Sequence, residues 1–542
     1  MHKINMSNNT QKPTTSLGNL FQLRGDVILT LIFLLITGLY AVLMFRDQVP
    51  IIWLAVLGGS WLIFMVVNRM PGYASPMDLP ILGLLALLPL TLAVSIDRTL
   101  SLPNLHGLIL GIALFYVIVN MIRRSQRLPL VVIALVVLAL GLSLLGLVGT
   151  EWKESRWLIL NPIYEWLPNF VSAISGAPAG AGINANTLGG ALVFFVPLLL
   201  SLLWDKGSFK RMFLKGERQA DTLNLVYKLL LLFALFLASI TLILTQSRGA
   251  YLGAFVGALV ILIWKDKRFL WVIPVLLLLG ILAWQLFTDG SFLELMSIID
   301  SSEESTLDSR LILWRNTVYM IQDFPLTGVG LNTFKPVLNN FYKLNIFENK
   351  DPSFFHAHNT FLAIAVETGL PTLVLYVTLL GSFFAMAARV YKRGRTFIRA
   401  LTIGLAGGLI AHQVFGIMDA YTLGKKLGVV LWIFYGVMAA LFIHRHKLIR
   451  NAKYNLITPN PQQDPKPDWG QVKRQGIDLL IGLGFWVLIS LAAVSLVNFN
   501  PYISLIFAIM GGFALGIFLT TRFRKRNKQS AIERSEQIAN SL

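Results

Sequence analysis

The 542 residues contain no cysteine, which excludes a disulfide scaffold and any thiolate metal site. Charge is scarce too: Asp, Glu, Lys and Arg together make up 13% of the chain, about half the share of an ordinary soluble domain. With 55% of the residues apolar, that scarcity rules out a soluble globular protein. No stretch reads as a soluble domain, and no convincing internal repeat is present. The first 25 residues are polar and lack a small-residue cleavage site behind a short apolar core, so they read as a flexible arm before a signal-anchor helix.

What the chain does have is apolar runs. A bilayer crossing takes about 20 mostly apolar residues, and such runs lie near Val27 to Phe45, Ile51 to Val67, Leu79 to Ser95, Leu105 to Ile122, Leu128 to Val148 and Thr187 to Trp204. Further runs lie near Leu225 to Leu244, Ala250 to Trp264, Phe269 to Phe287, His358 to Leu380, Ala400 to Gly416, Leu427 to Ile443, Ile477 to Leu496 and Ile503 to Thr520. The expected fold is therefore all-α: a polytopic transmembrane bundle of about twelve core spans plus a C-terminal two-span hairpin. The run from Ala250 to Trp264 is the shortest for a span, but parity of the loops requires it.

The formal charge is +19, which on a soluble chain would suggest nucleic acid. Here it sorts by side. With the amino terminus cytoplasmic, most Lys and Arg fall in alternate loops, as the positive-inside rule demands, and the excess reads as topology rather than a nucleic-acid footprint. The resulting division is a cytoplasmic arm (1–25), a transmembrane core (26–450) with an outer loop (288–357), a Pro-rich cytoplasmic linker (451–476), a hairpin (477–521) and a basic cytoplasmic tail (522–542).

Two outer segments are long. Thr150 to Asn186 carries Trp152, Trp157, Tyr164, Trp166 and Phe170, rings that favour the headgroup level; it reads either as an amphipathic helix on the membrane or as a grip on a lipid-linked substrate. Thr288 to Ala357 is long enough to form a small helical lid, and its apolar and aromatic content argues for order.

Polar residues stand out near the outer face. Arg248, in Thr245-Gln246-Ser247-Arg248-Gly249-Ala250, sits where arginine is disfavoured; it either snorkels to headgroup phosphates or binds a ligand. Arg310 and Arg315 lie on an expected helix capped by Asp308 or Ser309 and do not share a face cleanly. His356-Ala357-His358-Asn359 opens the tenth run; the helix dipole disfavours a protonated histidine there, leaving a base or a merely hydrogen-bonded ring. Two histidines at i and i+2 without a nearby third ligand make a poor metal site. Glu367 lies about 13 Å further along by helical rise, with His412 and Asp419 as its possible partners, and Gly369 and Pro371 should kink or break that helix.

These residues resemble a known family. His358-Asn359, nine residues, then Gly369-Leu370-Pro371-Thr372 is similar to the signature of the O-antigen ligase family, whose core domain is shared with polysaccharide polymerases. Ser247-Arg248-Gly249-Ala250, the stretch from Arg310 to Phe334 with Trp314 and Phe324-Pro325-Leu326-Thr327-Gly328-Val329-Gly330, and Asn186 in Gly182-Ile183-Asn184-Ala185-Asn186 resemble the remaining family motifs in order. The resemblance covers roughly Leu128 to Ile443; the terminal hairpin and Pro-rich linker exceed the usual family core.

The resemblance implies a multi-pass protein of the bacterial cytoplasmic membrane, both termini cytoplasmic. It would transfer a glycan from undecaprenyl diphosphate to an acceptor sugar hydroxyl, such as lipid A-core or another repeat unit, with no cofactor, metal or nucleotide. On that reading His358, Arg248 and Arg310 are catalytic, and Arg315, His356, Asn359, Asn186 and Glu367 bind substrate. Its partners are that donor, the saccharide acceptor and membrane lipids, not nucleic acid. The competing class is a transporter of a small anion such as bicarbonate. That class should place ionisable groups at the midplane, where only Glu367 and His412 stand out.

Overall fold

The computed structural model describes residues 27–40, 49–68, 72–122, 128–150, 152, 161–167, 183–205, 217–287, 307–342, 356–394, 396–420, 424–454 and 469–540. Among these there is no strand beyond an isolated bridge between Thr150 and Ile183. The helices, in chain order, are α1 (Val27–Tyr40), α2 (Ile51–Asn68), α3 (Asp78–Ala93), α4 (Arg98–Met121), α5 (Leu128–Gly149), α6 (Asn161–Trp166) and α7 (Ala185–Leu192). They continue with α8 (Phe195–Leu203), α9 (Glu217–Leu244), α10 (Arg248–Lys265), α11 (Val272–Phe287), α12 (Leu307–Asp323) and α13 (Phe334–Phe341). The last six are α14 (Thr360–Thr368), α15 (Leu370–Arg393), α16 (Thr396–Met418), α17 (Val429–Tyr454), α18 (Trp469–Val497) and α19 (Pro501–Asn540).

Ten helical segments among the described residues are long and apolar enough to cross a membrane, fewer than the fourteen runs read from the sequence. The other four runs are helical but shorter, in α1, α3, α11 and the first part of α17. The disputed short run is among the ten, as α10. The described part of the expected outer loop is α12, a turn and α13; 288–306 and 343–355 fall outside the described residues, as do the amino-terminal arm (1–25) and 455–468 of the linker. The linker ends that are described are helical, and α19 runs without interruption into the basic segment expected as a separate tail.

One expected span is redrawn. The run from His358 to Leu380 divides at Gly369, whose φ of +84° no L side chain adopts readily, into the short α14 and the membrane-length α15. The division is locked from outside, because the Leu370 N–H donates to the Pro325 carbonyl (2.8 Å) and a Cβ on Gly369 would stand 2.2 Å from the Leu326 oxygen. Glu367 therefore lies at the end of a separate half-helix ahead of the span, not deep within one.

In lipid, helices gain little by hiding apolar surface from one another, so close packing through small residues carries the association. The most buried span, α15, is packed that way by the terminal hairpin. A Cβ on Gly381 would meet the Phe513 carbonyl at 2.4 Å, and Cβ atoms on Gly512 and Gly516 would meet the Val374 and Thr378 carbonyls at 2.7 and 2.4 Å. Trp486 Nε1 donates to the Pro371 carbonyl (3.0 Å), so the hairpin reaches the Gly369 break itself. At the opposite end of α15, Arg389 bonds Thr521, and Asp478 joins α18 to α19 through Arg522 and Arg526 (2.5 and 2.8 Å).

Candidate functional site

Four helix termini meet at one end of the bundle: the start of α7, the start of α10, the end of α16 and the start of α14. Each start is capped by its own sequence. Asn184 accepts from the N–H groups of Asn186 and Thr187, Ser247 from Ala250, and Asn359 from Phe361 and Leu362. Such a cap contributes about 1 kcal/mol each. The capping residues or their immediate neighbours carry the polar side chains of the site.

At its centre is Asp419, directly after α16 and 6% exposed. One carboxylate oxygen, Oδ1, lies 3.3 Å from His356 Nε2 and 3.4 Å from His358 Nδ1. The other accepts a 2.6 Å hydrogen bond from Asn186 Nδ2, and Asn186 Oδ1 accepts from the Ser247 hydroxyl next to Arg248. A continuous polar chain thus runs from the histidine pair through Asp419 and Asn186 to the α10 cap. The histidine rings stand edge to face with centroids 4.4 Å apart. Trp314 holds their connection by donating to the Ala357 carbonyl (2.9 Å).

His358 has φ of +46°, a left-handed conformation that costs a non-glycine residue on the order of 1–3 kcal/mol. That twist turns the chain into α14 while its ring faces Asp419. Gln246, at φ +49°, makes a similar turn ahead of Arg248, and its side chain bonds Tyr164, which stacks on Trp152. Trp152 and Tyr164, ahead of α7, are thereby pinned onto the α9–α10 turn.

Burial drives the His356 imidazole down to about 3, helped by Lys425 and opposed by Asp419. The ring is neutral at physiological pH. Burial alone would raise Asp419, but the His358 hydrogen bond and the charges around it, including Lys425, hold its carboxyl below the usual range. The cluster is an ionised carboxylate set between two imidazoles.

The two arginines expected to be catalytic come to the rim of this cluster. Arg310 Nη1 reaches Met418 Sδ (3.8 Å), the residue before Asp419, and a Cβ on Gly249, beside Arg248, would touch Met418 Cβ at 3.0 Å. The Arg310 guanidinium and the backbone that carries Arg248 are therefore at the residue before Asp419. Arg315 is not: its Nε donates to Tyr319 (2.9 Å), on the side facing Tyr502 of the hairpin. Asn359 is at the site, but its oxygen caps α14 and its nitrogen donates to Ile417 (3.3 Å). The expected cap of α12 by Asp308 or Ser309 involves side chains outside those described.

Glu367 is placed elsewhere. It is 2% exposed, behind the turn from Thr327 to Thr333. Its carbonyl accepts from Gly330 (3.0 Å), and its carboxyl faces the Asn332 N–H and Lys425 rather than His412 or Asp419, the partners expected from the sequence. His412 instead lies against the Gly190 carbonyl (3.2 Å) and stacks on Phe194. Burial pushes Glu367 up to about 7, partly offset by the Asn332 and Lys425 interactions.

Asp419, which the sequence suggests only as a partner of Glu367, is the centre of the candidate site. The available signal was an isolated carboxylate at the outer end of an apolar run. Asp419 also supplies the third donor thought missing beside the histidines: His356, His358 and Asp419 offer ligand atoms all within 4.8 Å of one another.

No curated protein matches the chain. Residues 233–377, just over a quarter of its length, match the O-antigen ligase family, and the match takes in Arg248, Arg310, both histidines and the Gly369 break, with Asn186 and Asp419 flanking it. The chain is a many-helix membrane protein whose residues 233–377 match the O-antigen ligase family.

Proposed function

We propose that the protein is an integral membrane glycosyltransferase that moves a glycan from undecaprenyl diphosphate to an acceptor hydroxyl on the outer side of the cytoplasmic membrane. It acts as an O-antigen ligase or a polysaccharide polymerase, inverting and without metal. The observation that carries this reading is the Asp419 carboxylate held against His358 Nδ1, with the Arg310 guanidinium against the preceding Met418 and Arg248 directly after Ser247, which Asn186 bridges to the carboxylate. An ionised carboxylate at Nδ1 favours the tautomer with its proton on that nitrogen, which leaves the Nε2 lone pair as a base. In the reaction, Nε2 takes the proton of the acceptor hydroxyl as its oxygen attacks the anomeric carbon. The bond from that carbon to the diphosphate oxygen breaks from the opposite face, and the electron pair leaves with the carrier. Arg248 and Arg310 stabilise the charge growing on the diphosphate, for which the planar guanidinium fork is suited. Asn186 and Asn359 fix the carboxylate and the α14 start, and His356 lines the acceptor side as a neutral ring. Among the described residues, Arg315 pairs with Tyr319 and Glu367 faces Asn332 and Lys425, so neither takes part in the steps above.

The transporter alternative gains no support from the domain match or from the clustering of polar groups at one end of the helices. The test is deletion in the host followed by separation of surface glycans. Unlinked lipid-carried polymer indicates a ligase, single-repeat products a polymerase, and unchanged glycans refute both. His358→Ala and Arg248→Ala should express normally and fail to restore the pattern; full complementation by either removes the role assigned to that residue.

A further inference from the structure

The contacts between Asp419 and the two histidines also have the lengths of a metal-ligand shell. N–H to O bonds centre near 2.9 Å, whereas His356 Nε2 and His358 Nδ1 lie 3.3 and 3.4 Å from the same carboxylate oxygen. A zinc ion bound to nitrogen and oxygen at about 2.0–2.1 Å in a tetrahedron separates its ligand atoms by about 1.63 times that bond, or about 3.3–3.4 Å. An octahedral ion with the same bonds would bring neighbouring ligands to about 2.9 Å. The two distances from Asp419 Oδ1 therefore match edges of a tetrahedron, and all three donor atoms lie within 4.8 Å of one another. The chemistry of the donors matches as well: two imidazole nitrogens and one carboxylate oxygen make a mixed donor set that zinc prefers, and oxygen-seeking magnesium or calcium does not. The histidine side chains are 20% and 25% exposed, so the cluster borders solvent.

We propose that His356 Nε2, His358 Nδ1 and Asp419 Oδ1 form a tetrahedral binding site for a divalent transition metal such as Zn²⁺, with a water in the fourth position, and that occupancy switches the enzyme off. The switch follows from proton placement. A metal on Nδ1 of His358 requires a lone pair there, so the single proton of the neutral ring moves to Nε2. The nitrogen that serves as the base then carries a hydrogen and can no longer accept one from the acceptor hydroxyl. No proton is lost from the ring; its tautomer is inverted. Binding itself depends only on the cluster, whereas the loss of transfer rests on the assignment of His358 Nε2 as the base.

The test uses the purified full-length chain in lipid nanodiscs, stripped of metal and titrated with Co²⁺, which reports its geometry by absorption, then with Zn²⁺ in competition. The expected result is one equivalent of Co²⁺ with the intense visible bands of a tetrahedral site, displaced by Zn²⁺. Affinity should fall at least about tenfold in Asp419→Asn and, independently, in His356→Gln, as loss of a ligand should cost no less than loss of a supporting residue. Absence of tetrahedral bands, or bands that survive both substitutions, overturns the site. In a parallel transfer assay, micromolar Zn²⁺ should abolish activity and EDTA should restore it; metal binding with undiminished transfer overturns the switch. If the metal-free protein transfers no glycan under any condition, the proposed function fails, and the cobalt spectrum still decides the site.

Discussion

At the residue scale, the site is organised by Asp419, which in the proposed reaction fixes which nitrogen of His358 faces the acceptor. Asparagine in its place keeps the shape but not the charge, and can present its amide nitrogen to Nδ1, favouring the wrong tautomer. Asp419→Asn should therefore lower the transfer rate by about 10²–10⁴ without loss of expression, measured as product formed per enzyme at saturating donor. A variant with the wild-type rate would show that the carboxylate does not set the tautomer. Glu367 leads to a different expectation, on stability. Its folded value of about 7 lies above an ordinary 4.5, so the folded state holds the proton more tightly than the unfolded one. Its contribution to stability is full below about pH 4.5 and is lost as pH rises through 7, with Lys425 and the Asn332 N–H the groups that face it. Glu367→Gln removes that dependence. The variant should melt above wild type at pH 8 and close to it at pH 4; melting curves that stay parallel across that range would show that Glu367 does not titrate on folding.

At the scale of elements, the turn from Phe324 to Thr333 is the clasp between the outer helices and the catalytic half-helix. Val329 and Gly330 donate to the carbonyls of Val366 and Glu367 (2.8 and 3.0 Å), and Leu331 and Asn332 tie the same turn to α4 through Ser101 and Leu100. Gly328 is required there twice over, by its φ of +64° and because a Cβ would lie 2.4 Å from backbone atoms of Glu367 and Thr368. Gly328→Ala should cost more than about 1 kcal/mol and shift α14 against α12, lowering both the melting temperature and transfer; unchanged values for both would show that the turn is not a clasp. Much of this level was legible in the sequence. The apolar runs appear as helices, and the Gly369 and Pro371 break was read from the conformational freedom of one and the missing N–H of the other. What could not be read was where the break leaves Glu367. Helical rise alone placed it inside a continuous span, and only the turn hydrogen-bonded to its carbonyl puts it ahead of one.

On the scale of the whole molecule, the site is assembled from parts far apart in the chain. Asn186 and Asp419 are 233 residues apart and share a 2.6 Å bond. One sequence supplies no signal for such a pairing, since periodicity speaks only of neighbours a few positions away. It does sort charge by side: Lys265, Arg389, Arg522 and Arg526 lie at the helix ends away from the histidine pair, in agreement with the loop alternation. The histidine and both arginines were legible because they are polar where an apolar chain disfavours them. Their orienting carboxylate, buried and paired, was not. The most direct test of the account is a single-turnover assay with purified protein, an undecaprenyl-diphosphate-linked glycan and a saccharide acceptor, following release of the carrier diphosphate together with the anomeric configuration of the product. The account predicts transfer with inversion by the wild-type protein and a rate lower by at least about 10² in His358→Ala; transfer with retention, or a His358→Ala protein as fast as wild type, would contradict it.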